Sequence, residues 1–385
     1  MGARRRPGRY VFLGVGLGVL ALAIAGGTWL AMATSPFEKV GSGLMTQAGP
    51  GAPLVTYSGP GQAAEAVLWQ PTERKPLKVE EVQREYPRDD GTTDVITIRV
   101  MEDSAGNRWL AAALGSNPLI PSPQGSLYFF ESQCQLYLVD ARTLEVLPLT
   151  SWEYQGKSRP QLCRERGVSV AWAHWPLWTP NGEAVVFLTN RSGTRQLWKI
   201  DVASREETVL ADWGSRACYP HFWADDGRLL MGRRVDQVTE YFLFDLKTGN
   251  AEELVSSRLT TVFEAPYIML FDGVPLTRGS LYDVNRRTTA PLPLPPPGYF
   301  YQLPYRVSPN RERIALWIAN QQRSHFVAVI DCNAVPLVLR TYPAPGRAWS
   351  SGWLVWLDDD TLAIQTGGKN DPAAAMYALK VGEGK

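Results

Sequence analysis

Apolar and polar side chains trade places at short range along most of this chain. TTDVITIRVMED and RWLAAAL alternate about a Ser-Ala-Gly-Asn turn, which predicts a hairpin over Asp94–Ala113. Further on, apolar runs such as LYFF, AVVFL, LLM, IAL and LAI recur between clusters of Gly, Pro, Asn and Asp. A 3.6-residue period is scarce after the first forty residues. The pattern predicts many short strands and almost no helix. One segment departs from it. Tyr10–Met32, YVFLGVGLGVLALAIAGGTWLAM, is apolar throughout and long enough to span a bilayer as a helix.

The strand signals repeat. In PLWTPNGEAVVFLTN, Trp178 stands four residues before Gly182, Pro180 and Asn181 form the turn, and the run Ala184–Leu188 follows. PHFWADDGRLLMG repeats this with Trp223, Asp225, Asp226 and Gly227. PSPQGSLYFF, YRVSPNRERIAL and VWLDDDTLAI give further copies, and YIMLFDGVPL around Gly273 gives a degraded one. A second signal trails the first: an apolar strand, a closing Asp (Asp140, Asp201, Asp245, Asp283, Asp331), a polar turn and another short strand. Anchors at 125, 182, 227, 273, 311 and 360 average about 47 residues apart, close to one four-stranded propeller blade. The last copy has three strands and lacks the fourth. A strand of the Asp94–Ala113 hairpin is the expected donor that closes the ring. The alternative is a seventh, partial blade built from residues 54–113. The Trp residues are expected between blades, in the core.

The copy P-L-W-T-P-N-G (Pro176–Gly182) resembles the TolB-type β-propeller repeat, Pro-x-Trp-Ser-Pro-Asp-Gly followed by a strand, and fainter copies extend the resemblance over Ser116–Val381. The resemblance implies a six-bladed propeller of four-stranded antiparallel blades, used for protein contacts and not tied to one activity. Related propellers accompany the hydrolase domain of prolyl-oligopeptidase-like peptidases. No Gly-x-Ser-x-Gly nucleophile elbow occurs in this sequence.

The ends and linkers complete the expected organisation. Arg4, Arg5, Arg6 and Arg9 precede the apolar run, and no charge follows until Glu38. This predicts a cytoplasmic terminus over 1–9, a signal-anchor helix over 10–32 and an extracytoplasmic remainder. The other reading is a signal peptide cleaved near Ala33, after the Ala-Met-Ala of residues 31–33, leaving a secreted protein. The run exceeds a usual signal-peptide core, which favours the anchor. Residues 33–62, rich in Gly, Pro, Ser and Ala, read as a flexible stalk. Residues 63–115 form a leading segment with the hairpin, and 116–385 the propeller.

Charge narrows the partners. Thirty-nine Lys and Arg against thirty-eight Asp and Glu leave a net charge of +1, so bulk charge gives no reason to expect a nucleic-acid partner. In propeller topology the loops joining second to third strands, and fourth strands to the next first strand, share one mouth. There the sequence is aromatic and basic. It offers Trp152, Arg159, Trp172, His174, Arg216, Tyr299, Tyr301, Arg347 and Trp349, the residue types of an interface core. The bland alternative is that these aromatics cap the blades. Cys134 and Cys163 fall on this face and form the expected disulfide. Free thiols are the alternative; Cys218 falls on the same face one blade on, and Cys332 by a turn on the opposite face. His174, His221 and His325 have no carboxylate spacing that predicts a metal centre, and the Asp pairs read as solvated turn residues. No catalytic, cofactor or metal residues are assigned. The expected function is a membrane-anchored, extracytoplasmic module binding a protein, peptide or envelope polymer. The alternative is a hydrolase or lyase acting on carbohydrate or peptide in the channel.

Overall fold

The computed structural model describes residues 37–382, except 43, 48–52, 58–63, 71–72, 89–90, 113–117, 152, 167–172, 259–260, 323, 345–352 and 367–374. The expected membrane helix, Tyr10–Met32, lies outside the described residues. Within them no helix is long and apolar enough to cross a membrane.

Nearly every described element is a strand. Seven sheets have four antiparallel strands and one has three. Each of the six sequence copies becomes one four-stranded sheet, with the strands (a, b, c, d) in chain order for the first five: residues 120–148, 174–212, 218–257, 261–291 and 299–343. The sixth takes a, b and c from Leu354–Trp356, Thr361–Thr366 and Ala375–Lys380.

Burial shows how the sheets stand. The b and c strands Ala184–Thr189 and Gln196–Asp201 are almost wholly buried, and the d strand Glu207–Asp212 is half exposed. The a strands of neighbouring sheets touch each other, as His174–Trp178 does Cys218–Trp223. Strand a therefore lies innermost and strand d at the rim. Between consecutive sheets runs a hydrophobic cluster. Phe129, Leu136 and Leu138 pack on Trp178 and Phe187, Val186 and Leu188 on Met231 and Phe242, and Leu230 and Tyr241 on Ile268 and Tyr282. The series continues through Tyr267, Met269 and Leu316, then Trp317, Val329 and Leu362. A lone blade has two apolar faces, and radial packing buries both.

The Trp residues are inter-sheet, as expected, and do more than fill space. The indole N–H of Trp178 donates to the Ile120 carbonyl at 3.1 Å, that of Trp223 to Trp178 at 2.6 Å, and that of Trp356 to Arg306 at 3.0 Å. Each acceptor lies on strand a of the preceding sheet. One residue type both packs the interface and stitches the inner strands, satisfying a donor that burial would otherwise strand. The closing Asp residues are turn caps. Asp140, Asp201, Asp245 and Asp283 each accept backbone N–H bonds from the residues two and three ahead.

The N-terminal part differs from expectation. Ring closure comes from Phe37–Ser42, which pairs antiparallel with Ala375–Lys380, Phe37 opposite Leu379 and Ser42 opposite Ala375. The Asp94–Ala113 hairpin instead joins Lys78–Pro87 in the three-stranded sheet. That sheet packs on the 120–148 sheet through Tyr86, Ile98, Val100, Leu110, Tyr128 and Phe130. The stalk expected over 33–62 is corrected too. Leu44–Gln47 and Leu54–Tyr57 pair into a sheet with Ala64–Gln70 and Glu73–Pro76. Gly- and Pro-rich composition argued for a linker, but Val-Thr-Tyr and Ala-Val-Leu-Trp runs supply strand residues once a neighbour is present. Leu54 packs on Ala363 and Met376 of the last sheet. The sheets therefore outnumber the six sequence copies. Gly273 is also re-placed. It sits between strands b and c of its sheet, and the a–b turn there is the short Ala265–Pro266 connection.

Candidate functional site

The mouth is built where strands b end and strands a begin. The long connection after residue 150 folds into a small hairpin, Glu153–Tyr154 with Lys157–Ser158, and then the helix Arg159–Arg166. Arg191 fixes this loop from below. Only 1% exposed, it pairs with Glu207, and its guanidinium lies 4.0 Å from the Trp198 ring centroid and 5.1 Å from that of Tyr154. Leu162 is the helix's buried anchor. Arg159 Nη1 donates to the Gln133 carbonyl in the b–c loop of the preceding sheet.

His174 opens strand a of the next sheet, and its Nδ1 pairs with Glu131, which lies beside that same b–c loop. The ladder slips between His174 and Leu177, and Trp175 sits in the slip at φ +50°. A bulky side chain in that region is strained. Trp175 is nevertheless 48% exposed. Its ring meets Tyr219 edge-on at 4.9 Å and His174 at 5.3 Å. Tyr219 in turn lies under the Arg195 guanidinium, 5.2 Å from the ring centroid. Next to it Cys218 is fully buried. Burial pushes its thiol up, against the opposing charges of Arg233, Arg195 and Arg216, so it is poorly placed to act as a thiolate nucleophile.

Of the residues expected at the mouth, the structure brings together Arg159 and His174, through the 131–134 loop, with Arg216 close to Cys218 one sheet on. Tyr299 lies farther round, its hydroxyl donating to Ser324 Oγ at 3.3 Å and its ring edge-on to Phe326 at 5.1 Å. Tyr301 does not belong to the surface. It is 1% exposed, its hydroxyl donates to the Pro293 carbonyl, and burial raises its pKa. Tyr299, two residues earlier at the start of the same strand, stays half-buried. Trp152, Trp172, Arg347 and Trp349 lie outside the described residues. The expected Cys134–Cys163 disulfide is not formed, and both are free, half-buried thiols. The helix that carries Cys163 turns its neighbour Leu162 inward instead, about 100° away around the axis.

The candidate residues read from the sequence did not include Glu131, Trp175, Arg195 or Tyr219, although Trp175 and Tyr219 end two of the aromatic loops expected at the mouth. Trp175 carried one signal, its place before Pro176, but the backbone slip that exposes it arises from strand pairing. Among the described residues no three His, Cys, Asp or Glu side chains gather so as to hold a metal.

No family model and no curated protein matches the chain. Solved structures do match in fold. A prolyl endopeptidase aligns at 14% identity with a TM-score of 0.52, covering 80% of this chain and 49% of that one. TolB from Acinetobacter baumannii aligns at 12% identity with a TM-score of 0.37, over 80% of this chain and 81% of that one. An oligogalacturonate lyase from Vibrio parahaemolyticus aligns at 12% identity with a TM-score of 0.49, over 89% and 99%. Likeness at this identity concerns the fold alone. The described residues are nearly all β, built mostly of four-stranded antiparallel sheets, and their architecture is that of a β-propeller.

Proposed function

We propose that the protein is a membrane-anchored, extracytoplasmic binding module that holds a protein, peptide or envelope-polymer partner on the mouth around Trp175. Among the described residues, the seven four-stranded sheets and the three-stranded one are read as successive members of one ring, held to the membrane by Tyr10–Met32. The supporting observation is Trp175 itself, a large aromatic half exposed at a strained backbone position, backed by His174 and by Tyr219, over whose ring the Arg195 guanidinium lies. A fold that needed only a stable strand here would place a small residue or glycine at φ +50°. Exposed Trp and Arg on a rigid frame are the groups that dominate interface energetics.

The test is capture from envelope extracts by full-length protein in detergent, with the captured species identified and rebound in purified form. Trp175→Gly relieves the backbone strain and removes the indole. It is expected to lower affinity for the rebound partner by about 2 kcal/mol or more while leaving the thermal midpoint nearly unchanged. Equal affinity in Trp175→Gly and Arg216→Ala proteins would sink the mouth-face assignment. Carbonate extraction of membranes checks the anchor, since release of the full-length chain into the soluble fraction contradicts it.

A further inference from the structure

A cavity of about 550 Å³ opens at the far end of the inner strands, away from the mouth. Three consecutive sheets line it with their a strands and a–b turns. Glu264 and Ala265 come from the first, Arg306 to Pro309 and Arg311 from the second, and Trp353, Val355 and Trp356 from the third. Its origin lies in the degraded sequence copy. The neighbouring a–b turns are long, as in Ser308–Arg313, but here Glu264 passes to Tyr267 through Ala265–Pro266 alone. The short turn leaves a gap, and Arg311 spans it to pair with Asp225, two sheets away. Departure from the repeat thus coincides with the hollow.

The walls are chemically divided. On one side stand Val307, Pro309, Val355 and the indole of Trp353, which is 50% exposed. On the other, Arg306 Nη1 lies 3.4 Å from a Glu264 carboxylate oxygen and donates to its neighbour's carbonyl at 3.0 Å. Both bonds use Nη1, and no described residue accepts from Nε or Nη2. That edge is the fork that grips a carboxylate in two parallel bonds. Glu264 is held by Arg306 and by the Val307 N–H, yet burial raises its pKa. A second acid is therefore tolerated nearby, provided that it is singly charged and brings a donor for the Glu264 oxygen. A phosphate dianion fits poorly, because its second negative charge would face that carboxylate.

We propose that this cavity recognises a carboxylate with an adjacent N–H and an apolar side group, the chemistry shared by a free α-amino acid and the C-terminal residue of a peptide. The carboxylate lies on the Nε–Nη2 edge of Arg306, the N–H donates to Glu264, and the side group packs on Trp353 and Val355. The site is separate from the Trp175 mouth and does not rest on its reading.

Titration calorimetry on the full-length protein in detergent tests this with N-acetyl-L-leucine, its C-terminal amide, N-acetylglycine, free L-leucine, Ala-Ala-Leu and inorganic phosphate as probes. N-acetyl-L-leucine is expected to bind and the amide to bind at least about tenfold more weakly, because the guanidinium is then left unpaired. N-acetylglycine is expected to bind more weakly than N-acetyl-L-leucine. Free leucine against Ala-Ala-Leu separates the two sources. Arg306→Gln is expected to abolish binding and Trp353→Ala to weaken it. Glu264→Gln, which removes the competing anion and keeps an acceptor, is expected to tighten binding and does not depend on the Arg306 variant folding. Equal binding of acid and amide, phosphate binding as tightly as the acid, unchanged binding in Arg306→Gln, or looser binding in Glu264→Gln would overturn the proposal.

Discussion

The indole N–H groups of Trp178, Trp223 and Trp356 each reach a carbonyl of the neighbouring inner strand. Replacing Trp178 by Phe keeps an aromatic ring and deletes the bond to Ile120. It should cost about 1–3 kcal/mol by urea unfolding, part of it from leaving a carbonyl unpaired. A loss near zero would show that the ring alone matters. His221 supplies the pH response at this scale. It is stacked on Phe263 at 3.9 Å, and burial lowers its pKa to about 4 from an ordinary 6.5. The imidazole is therefore neutral in the fold. Above pH 6.5 it is neutral in both folded and unfolded chains and stability is unaffected. As the pH falls from 6.5 toward 4, the unfolded chain takes up a proton that the fold resists, and about 3 kcal/mol is lost. Hydrogen bonds from the turn backbones hold the Asp140, Asp201 and Asp245 carboxyls below their usual range, so their protonation adds to the acid loss at lower pH. His221→Phe should flatten the stability curve between pH 6.5 and 4, as read by thermal melts.

Elements explain which parts of the sequence were legible. The Pro-Asn-Gly turn at Pro180–Gly182 carries its own instructions, since Gly182 adopts φ +70°. The Asp that closes strand c caps the following turn within three residues. Both signals are local, and both were readable. At Gly273 the same letters misled, because Asp-Gly there serves the b–c loop. The Glu264–Tyr267 turn has no Gly, Asn or Asp between its strands and left no signature. Gly279, two strands on, has a role that only packing shows. A Cβ there would lie 2.2 Å from the Leu270 carbonyl oxygen of the adjoining strand. Gly279→Ala should destabilise by about 1–3 kcal/mol or more, because backbone must move; a neutral chemical-denaturation result would contradict this. The bulge after His174 belongs to the same class. His174 and Arg159 could be placed at the mouth from loop position, whereas the exposure of Trp175 depends on how strand a slips against Val186 and Leu188.

For the whole molecule, closure is the decisive event. The last sheet completes itself with Phe37–Ser42, more than three hundred residues from its partner strand Ala375–Lys380. Removing residues 1–42 should leave Ala375–Lys380 with an unpaired edge, lower the melting temperature by roughly 5 °C or more and promote aggregation. Removing residues 1–36 should not. Equal melting of the two proteins would overturn this closure. The sequence by itself determined the strand period, the turn chemistry and the core position of the Trp residues, since each depends on neighbours within a few residues. Tertiary structure alone decided which strand closes the ring, that residues 44–112 add two sheets, that Cys134 and Cys163 stay apart, and where a cavity opens. Those outcomes depend on pairings between distant segments, where an apolar strand has several acceptable partners and geometry selects one.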